Sequence, residues 1–302
     1  MKILTIQYVN YWNDPFNDRW LFHFIKENFK EKYQVIEVQN KKDCDILIAS
    51  VMGPLNKISY YKAKLKLFFT GENLNRYSQY NNINNLKKYF DLIVGFYPTD
   101  LKNKTIRFPL WFMYYNFYKM SDDSNNIIDY IKNRRNINKC IQKKKYFASC
   151  VSSHSNLGVR KYICDKMSVF GKIIYPGKWR KNFSIGAKAI DKVEFLTGVK
   201  YNICPENSKS LLYHTEKIFH ALEAGCVPIY WGVDLPEKDI INPKCYQFIN
   251  IENKNLAEKQ IKEAVENYEK YINEEIFLKS AKNIIGEYYE SLKKNITVYI
   301  VA

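Results

Sequence analysis

This 302-residue chain has no C-x-x-C pair, no long apolar run, only four histidines and far fewer acidic than basic residues. Each shortage excludes something. Seven cysteines, odd in number and loosely spaced from Cys44 to Cys245, argue against a disulfide framework and against a structural zinc site. Cys150, Cys204 and Cys226 lie in apolar runs and read as small core residues. No stretch approaches the roughly 20 apolar residues of a membrane-spanning helix. The opening MKILTIQYVNYW lacks the apolar core and cleavage site of a signal peptide. The expectation is a soluble, cytoplasmic protein with reduced thiols.

Acidic residues number 31 against 47 Lys plus Arg, a formal net charge of +16. Such a surface suits anions: nucleic acid, a membrane face or phosphate-bearing substrates. The basic residues form no single long stripe of the kind a nucleic-acid footprint needs, so no nucleic-acid partner is expected. Weak, salt-sensitive peripheral contact with anionic lipid fits the charge. Of the histidines, His154 sits in a polar turn while His23 and His220 fall in helical patterns, and no third residue stands at triad spacing. The single Asp-x-Asp, Asp43 to Asp45, precedes its strand, the wrong end for a ligand, and reads as a solvated turn. No tightly bound metal is expected.

What the chain does contain is alternation. KILTIQYV reads as a strand, followed by Leu21, Phe24, Ile25 and Phe29 at helical spacing with Asn17 as cap. Short continuous apolar strands follow at Gln34 to Val38, Asp45 to Ser50, Leu65 to Thr70 and Asp91 to Phe96, the pattern of a parallel sheet buried on both faces. From Lys119 to Lys145 the chain turns polar and charged, which places a domain junction there, with a boundary after residue 130. The second half repeats the pattern. Strands are expected at Tyr146 to Val151, Tyr201 to Cys204, Cys226 to Trp231 and Tyr246 to Ile251. One helix carries Val159, Ile163 and Met167, and one long C-terminal helix carries Ile261, Val265, Tyr268 and Ile272. The fold class is α/β: two Rossmann-like domains, 1–130 and 131–302, facing an interdomain cleft.

Chemistry concentrates in HTEKIFHALEAGCVPIYWG, His214 to Gly232. Thr215 can cap a helix, Gly225 ends it, and Glu216 and Lys217 fall in its first turn, at the carboxyl end of the preceding strand. Free amides and the positive dipole end favour an anion there. A first-turn Lys works against that dipole, so an external anion is expected to balance it. Upstream, CPENS brings Glu206 and Asn207 to a strand end. A second strand–turn–helix, VSSHSNLGVRKYI, places Arg160 in its own first turn.

The stretch ENSKSLLYHTEKIFHALEAGCVPIYWG resembles the signature of the α1,3/1,4-fucosyltransferases, glycosyltransferase family 10. LFFTGEN (Leu67 to Asn73), IRFPLWF (Ile106 to Phe112) and FASCVSSHSNLGVRKYI resemble three further segments of that family, in order. The resemblance implies a GT-B fold, GDP-fucose as donor, inversion at the anomeric carbon, and an N-acetylglucosamine-containing glycan as acceptor. It assigns the acceptor to the N-terminal domain and the nucleotide to the C-terminal one. It makes Glu72 the general base and Arg160 and Lys217 the diphosphate ligands. Asn207, Tyr213 and Glu216 contact the nucleotide sugar, and Glu216 also steadies positive charge on the fucose ring. Pro205, His214 and PGKWRKN (Pro176 to Asn182) depart from the family pattern, marking where the local shape of the donor pocket differs. Trp12, Trp20 and Trp111 fall in the half that takes the acceptor. The alternatives are a GT-B enzyme with another nucleotide-sugar donor or acceptor, and a non-catalytic basic nucleic-acid-binding protein.

Overall fold

Runs of Ile, Leu, Val and Phe become strands in the first half because a parallel sheet covered on both faces rewards continuous apolar sequence. The computed structural model describes residues 1–12, 19–120, 126–139, 144–155, 157–186 and 189–301. Its first part runs β1 (Lys2–Val9), α1 (Trp20–Phe29), β2 (Tyr33–Glu37), β3 (Asp43–Ala49), β4 (Lys62–Phe69), α2 (Ile83–Leu86), β5 (Leu92–Gly95) and β6 (Thr105–Arg107). All pairings are parallel, in the order β2-β1-β3-β4-β5-β6. Leu21, Phe24, Ile25 and Phe29 bury as their spacing predicts. Asn17, the expected cap of α1, lies outside the described residues. Trp20 and Trp111 are buried in the core of this part, leaving Trp12 as the tryptophan of the three with a partly open ring.

The second part runs α3 (Ile127–Lys139), β7 (Tyr146–Ser149), α4 (Val159–Met167), β8 (Ile173–Ile174), α5 (Ala189–Thr197), β9 (Val199–Ile203), α6 (Glu216–Glu223), β10 (Val227–Tyr230), β11 (Gln247–Phe248), α7 (Lys254–Glu266), α8 (Tyr268–Asn273) and α9 (Ala281–Ile300). Its sheet is also parallel, ordered β11-β10-β9-β7-β8. The strand order reverses between β7 and β9, and such a switch point is where open α/β sheets bind ligands.

The chain divides into two compact units, Met1–Ser121 with Ile285–Ala302, and Asp122–Ile284. The expected boundary after residue 130 therefore falls inside α3, which is part of the second unit. The polar texture of that stretch hid a helix whose inner face holds Ile127, Ile131 and Arg135. Arg135 is 2% exposed and donates to the carbonyls of Leu222, Cys226, Tyr271 and Ile272 at 3.1–3.4 Å. It thus ties carbonyls at and just past the ends of α6 and α8 to α3, where Leu222 O also accepts from Gly225 N–H. The long C-terminal helix expected from Ile261 to Ile272 is two helices, because Asn267 leaves the helical region at φ −112° and ψ 33°. Gly225 behaves as its type suggests. At φ +68° it ends α6, with Cys226 N–H donating to Ala221 O (2.9 Å) and Gly225 N–H to Leu222 O (3.0 Å). That is the double bond pattern of a Schellman cap.

Candidate functional site

In the second unit, the carboxyl ends of β7 and β9 open on a small solvent-connected pocket. Arg160, Lys192 and Lys217 line it, with Asn202 and Pro205 from the end of β9. Three cations from three helices meeting at a switch point suit a multiply charged anion. Arg160 enters from the first turn of α4, whose preceding Gly158 takes φ +70°. Its guanidinium donates to His154 O at 2.6 Å, approaches His154 Nδ1 at 3.2 Å and bonds the side-chain oxygen of Asn207. Burial lowers its pKa from the ordinary arginine value, and a guanidinium keeps its charge inside proteins.

Lys217 and Glu216 occupy the first turn of α6 as expected, but the anion at that turn belongs to the chain itself. Glu206 is 3% exposed and accepts from Thr215 N–H (2.9 Å), Thr215 Oγ1 (2.7 Å), Tyr230 Oη (3.1 Å) and Lys217 Nζ (3.0 Å). The sequence argument that a first-turn Lys needs an external anion is therefore corrected: Glu206 supplies the countercharge. Thr215 sits at the N-cap but makes no side-chain cap bond, since its hydroxyl serves Glu206. Lys217 spends two of its three N–H donors on Glu206 and Thr215 Oγ1 (2.7 Å) and still lines the pocket. Burial would lower its pKa, but Glu206 and Glu216 more than offset this and raise it.

Glu216 faces Lys192 Nζ at 3.4 Å, both side chains largely buried. Burial alone would raise the Glu216 carboxyl; Lys217 and Lys192 outweigh it and hold the group well below the usual carboxylate range. Tyr213 is 3% exposed and close enough to Arg160 and Lys217 to influence both. The second unit thus brings Arg160, Asn207, Tyr213, Glu216 and Lys217 into one neighbourhood. It adds two residues that sequence reasoning left without a role there, Lys192 and the central Glu206. The signal for Glu206 was present, a Glu at a strand end ahead of Tyr-x-Thr-Glu-Lys, whereas Lys192 carried none.

Glu72 belongs to the first unit, just past β4. Its N–H donates to Thr70 Oγ1 (3.0 Å) and its carboxylate pairs with Arg76 at 3.0 Å, with 28% of the side chain exposed. Gly71 before it needs no left-handed backbone; a Cβ there would meet Leu110 Cδ1 at 2.5 Å, so the glycine serves close packing. Trp12 lies nearby in the same unit, edge-on to Phe69 at the end of β4 with ring centroids 6.1 Å apart. At the other end of the sheet, Asp45 accepts from Thr5 and pairs with Lys64 at 2.8 Å. It is part of β3 and not of a solvated turn. Among the described residues no three His, Cys, Asp or Glu side chains gather as a metal site, and no helix is long and apolar enough to cross a membrane.

Residues 6–114 match the Alpha-(1,3)-fucosyltransferase FucT N-terminal domain family. A curated relative, the Alpha-(1,3)-fucosyltransferase FucT of Helicobacter pylori, is 28% identical over 282 residues, covering 84% of this chain and 55% of the relative. The chain therefore spans about half the length of that relative. Among solved structures, an alpha1,3-fucosyltransferase with GDP-fucose superposes with a TM-score of 0.66 at 23% identity, covering 99% of this chain and 93% of the other. The same enzyme type in another crystal structure gives 0.69, again at 23% identity, over 99% and 92% of the two chains. An alpha-glucosyltransferase in complex with UDP and DNA gives 0.56 at 9% identity, over 98% of this chain and all of that one. These likenesses establish the GT-B fold.

Proposed function

We propose that this chain, which resembles the α1,3/1,4-fucosyltransferases of glycosyltransferase family 10, is an inverting fucosyltransferase that moves fucose from GDP-fucose to a hydroxyl of an N-acetylglucosamine-containing glycan. The linkage assigned is α1,3. The observation that carries the reading is the pocket at the switch point of the second unit, where Arg160 and Lys217 stand beside Asn207, Tyr213 and Glu216.

In this mechanism the acceptor oxygen attacks the anomeric carbon as the bond from that carbon to the β-phosphate oxygen breaks. GDP leaves with both electrons of that bond. Arg160 and Lys217 meet the negative charge that grows on the diphosphate, and fixed cations do this without reorganising as the bond breaks. Glu216, held ionised by its two lysine neighbours, stabilises positive charge on the fucose ring. Glu72 takes the acceptor proton, for which a positioned carboxylate supplies about 10²–10⁴-fold. The first unit is the assigned acceptor domain and the second the donor domain. Because protein cations answer the leaving charge, we infer that transfer proceeds unchanged in a chelator. We also infer a cytoplasmic location with reduced thiols, which thiol titration of the native protein checks; the six described cysteines are free.

The test is GDP binding by calorimetry alongside a hydrolysis screen across nucleotide sugars. Arg160→Ala removes a charge-assisted phosphate bond, worth roughly 1.5–3 kcal/mol, so GDP should bind about ten- to a hundred-fold more weakly. Unchanged GDP affinity in that variant, or preferred hydrolysis of a different nucleotide sugar, would overturn the assignment of the donor.

A further inference from the structure

Of the three cations that line the pocket, two are heavily engaged within the protein. Arg160 serves His154 and Asn207, and Lys217 is tied to Glu206 and Thr215. Lys192 differs. It stands on α5, its side chain is 17% exposed, and its ammonium meets Glu216 at 3.4 Å, longer than a well-formed charge-assisted bond of about 2.7–2.9 Å. A Lys so enclosed, between a loosely held carboxylate and an open pocket with two more cations, pays a repulsion that an anion in the pocket would relieve. The crowding is visible nearby. Burial chiefly, then the Lys192 charge, push the His220 imidazole down to about 3, so that neighbour is neutral and adds no further cation.

We propose that Lys192 is a third diphosphate ligand of the donor site, turning its ammonium from Glu216 toward the phosphates while remaining within reach of both. This rests on the donor reading above and deepens it. Neither composition nor spacing pointed to this residue; its place on the pocket wall does. Three cations against a diphosphate would also explain how Arg160 and Lys217 can stay bonded inside the protein while phosphate binds.

Three variants test it: Lys192→Met, Lys192→Arg, and Lys192→Met combined with Glu216→Gln. Affinities for GDP and for guanosine are measured by calorimetry, with melting temperatures recorded. Lys192→Met should weaken GDP about ten-fold or more and leave guanosine unchanged, and Lys192→Arg should restore most of the loss. If Lys192 only holds Glu216 in place, adding Lys192→Met to the Glu216→Gln background has no further effect on GDP. A ten-fold drop in that background as well supports the proposal. Equal GDP affinity in wild type and Lys192→Met overturns it, as does an equal loss for GDP and guanosine, which would signal a damaged pocket. A wild-type protein that binds no GDP refutes the donor reading instead.

Discussion

Glu206 is the residue on which the first turn of α6 and the proposed donor site depend, through its hydrogen-bond arithmetic. A carboxylate offers about four lone-pair sites and no donor. Here Thr215 N–H, Thr215 Oγ1, Tyr230 Oη and Lys217 Nζ occupy them, with the side chain fully shielded from water. Glu206→Gln keeps the volume and fails twice: its NH₂ must face a donor, and Lys217 loses a buried partner. Breaking such a pair costs about 3–5 kcal/mol. Part of that is recovered because Glu216 also neighbours Lys217. The expected result is a loss of about 2–4 kcal/mol in urea unfolding, with unchanged far-UV circular dichroism. Stability equal to wild type would show that Glu206 is not the countercharge of α6. At this scale the sequence was half readable. Thr-Glu-Lys at a helix start marks a charged first turn, but whether its balancing anion comes from solvent or from the chain depends on how β9 and α6 meet. Lys192 was invisible for the same reason, because only the placement of α5 carries it to the pocket.

At the scale of elements, the segment entering α6 is held by a buried histidine. Leu212 takes φ +60°, and its N–H donates to Asp234 at 3.1 Å. His214 lies 3.3 Å from Asp234 and 3.5 Å from Glu237. Burial would lower its pKa; the hydrogen bonds and charges of Asp234 and Glu237 outweigh that and raise it to about 9. The Glu237 amide, 3.1 Å from Nδ1, works against the charged ring, and the two carboxylates prevail. A folded pKa above the ordinary 6.5 means the stabilisation is complete below about 6.5 and fades as pH rises through about 9. The melting temperature should therefore fall between pH 7 and pH 9.5, and His214→Gln should flatten that slope. A wild-type slope that persists in the variant would assign the effect to other groups.

Most elements were legible because a fully buried parallel strand and an amphipathic helix each leave a periodic trace. The exceptions follow from local chemistry. α3 looked like a linker because its inner face uses Arg135, and the break between α7 and α8 depends on one Asn backbone. β11, at the edge of its sheet, is only Gln247–Phe248. The apolar run around it predicted more.

At the scale of the whole molecule, the sequence of units distributes the chemistry. The cations that line the pocket all come from Asp122–Ile284, and Glu72 and Trp12 come from the unit that begins at Met1. If the first unit handles acceptor and the second handles donor, a change at Glu72 should leave the donor site untouched. A bracing role competes with catalysis at this residue, because Glu72 pairs with Arg76 at 3.0 Å. That pair is an i,i+4 contact with 48% of the Arg76 side chain and 28% of the Glu72 side chain exposed. Exposed pairs of this kind contribute only about 0.2–1 kcal/mol. Bracing alone therefore predicts a small stability loss and near-normal transfer for Glu72→Gln. The base role predicts the reverse: GDP affinity and melting temperature close to wild type, with transfer lower by about 10²–10⁴. Arg76→Ala separates the readings further, since it removes the same pair and keeps the carboxylate. It should match Glu72→Gln in stability and far exceed it in activity. If both variants transfer fucose at the same rate, Glu72 serves Arg76 and the acceptor proton goes elsewhere.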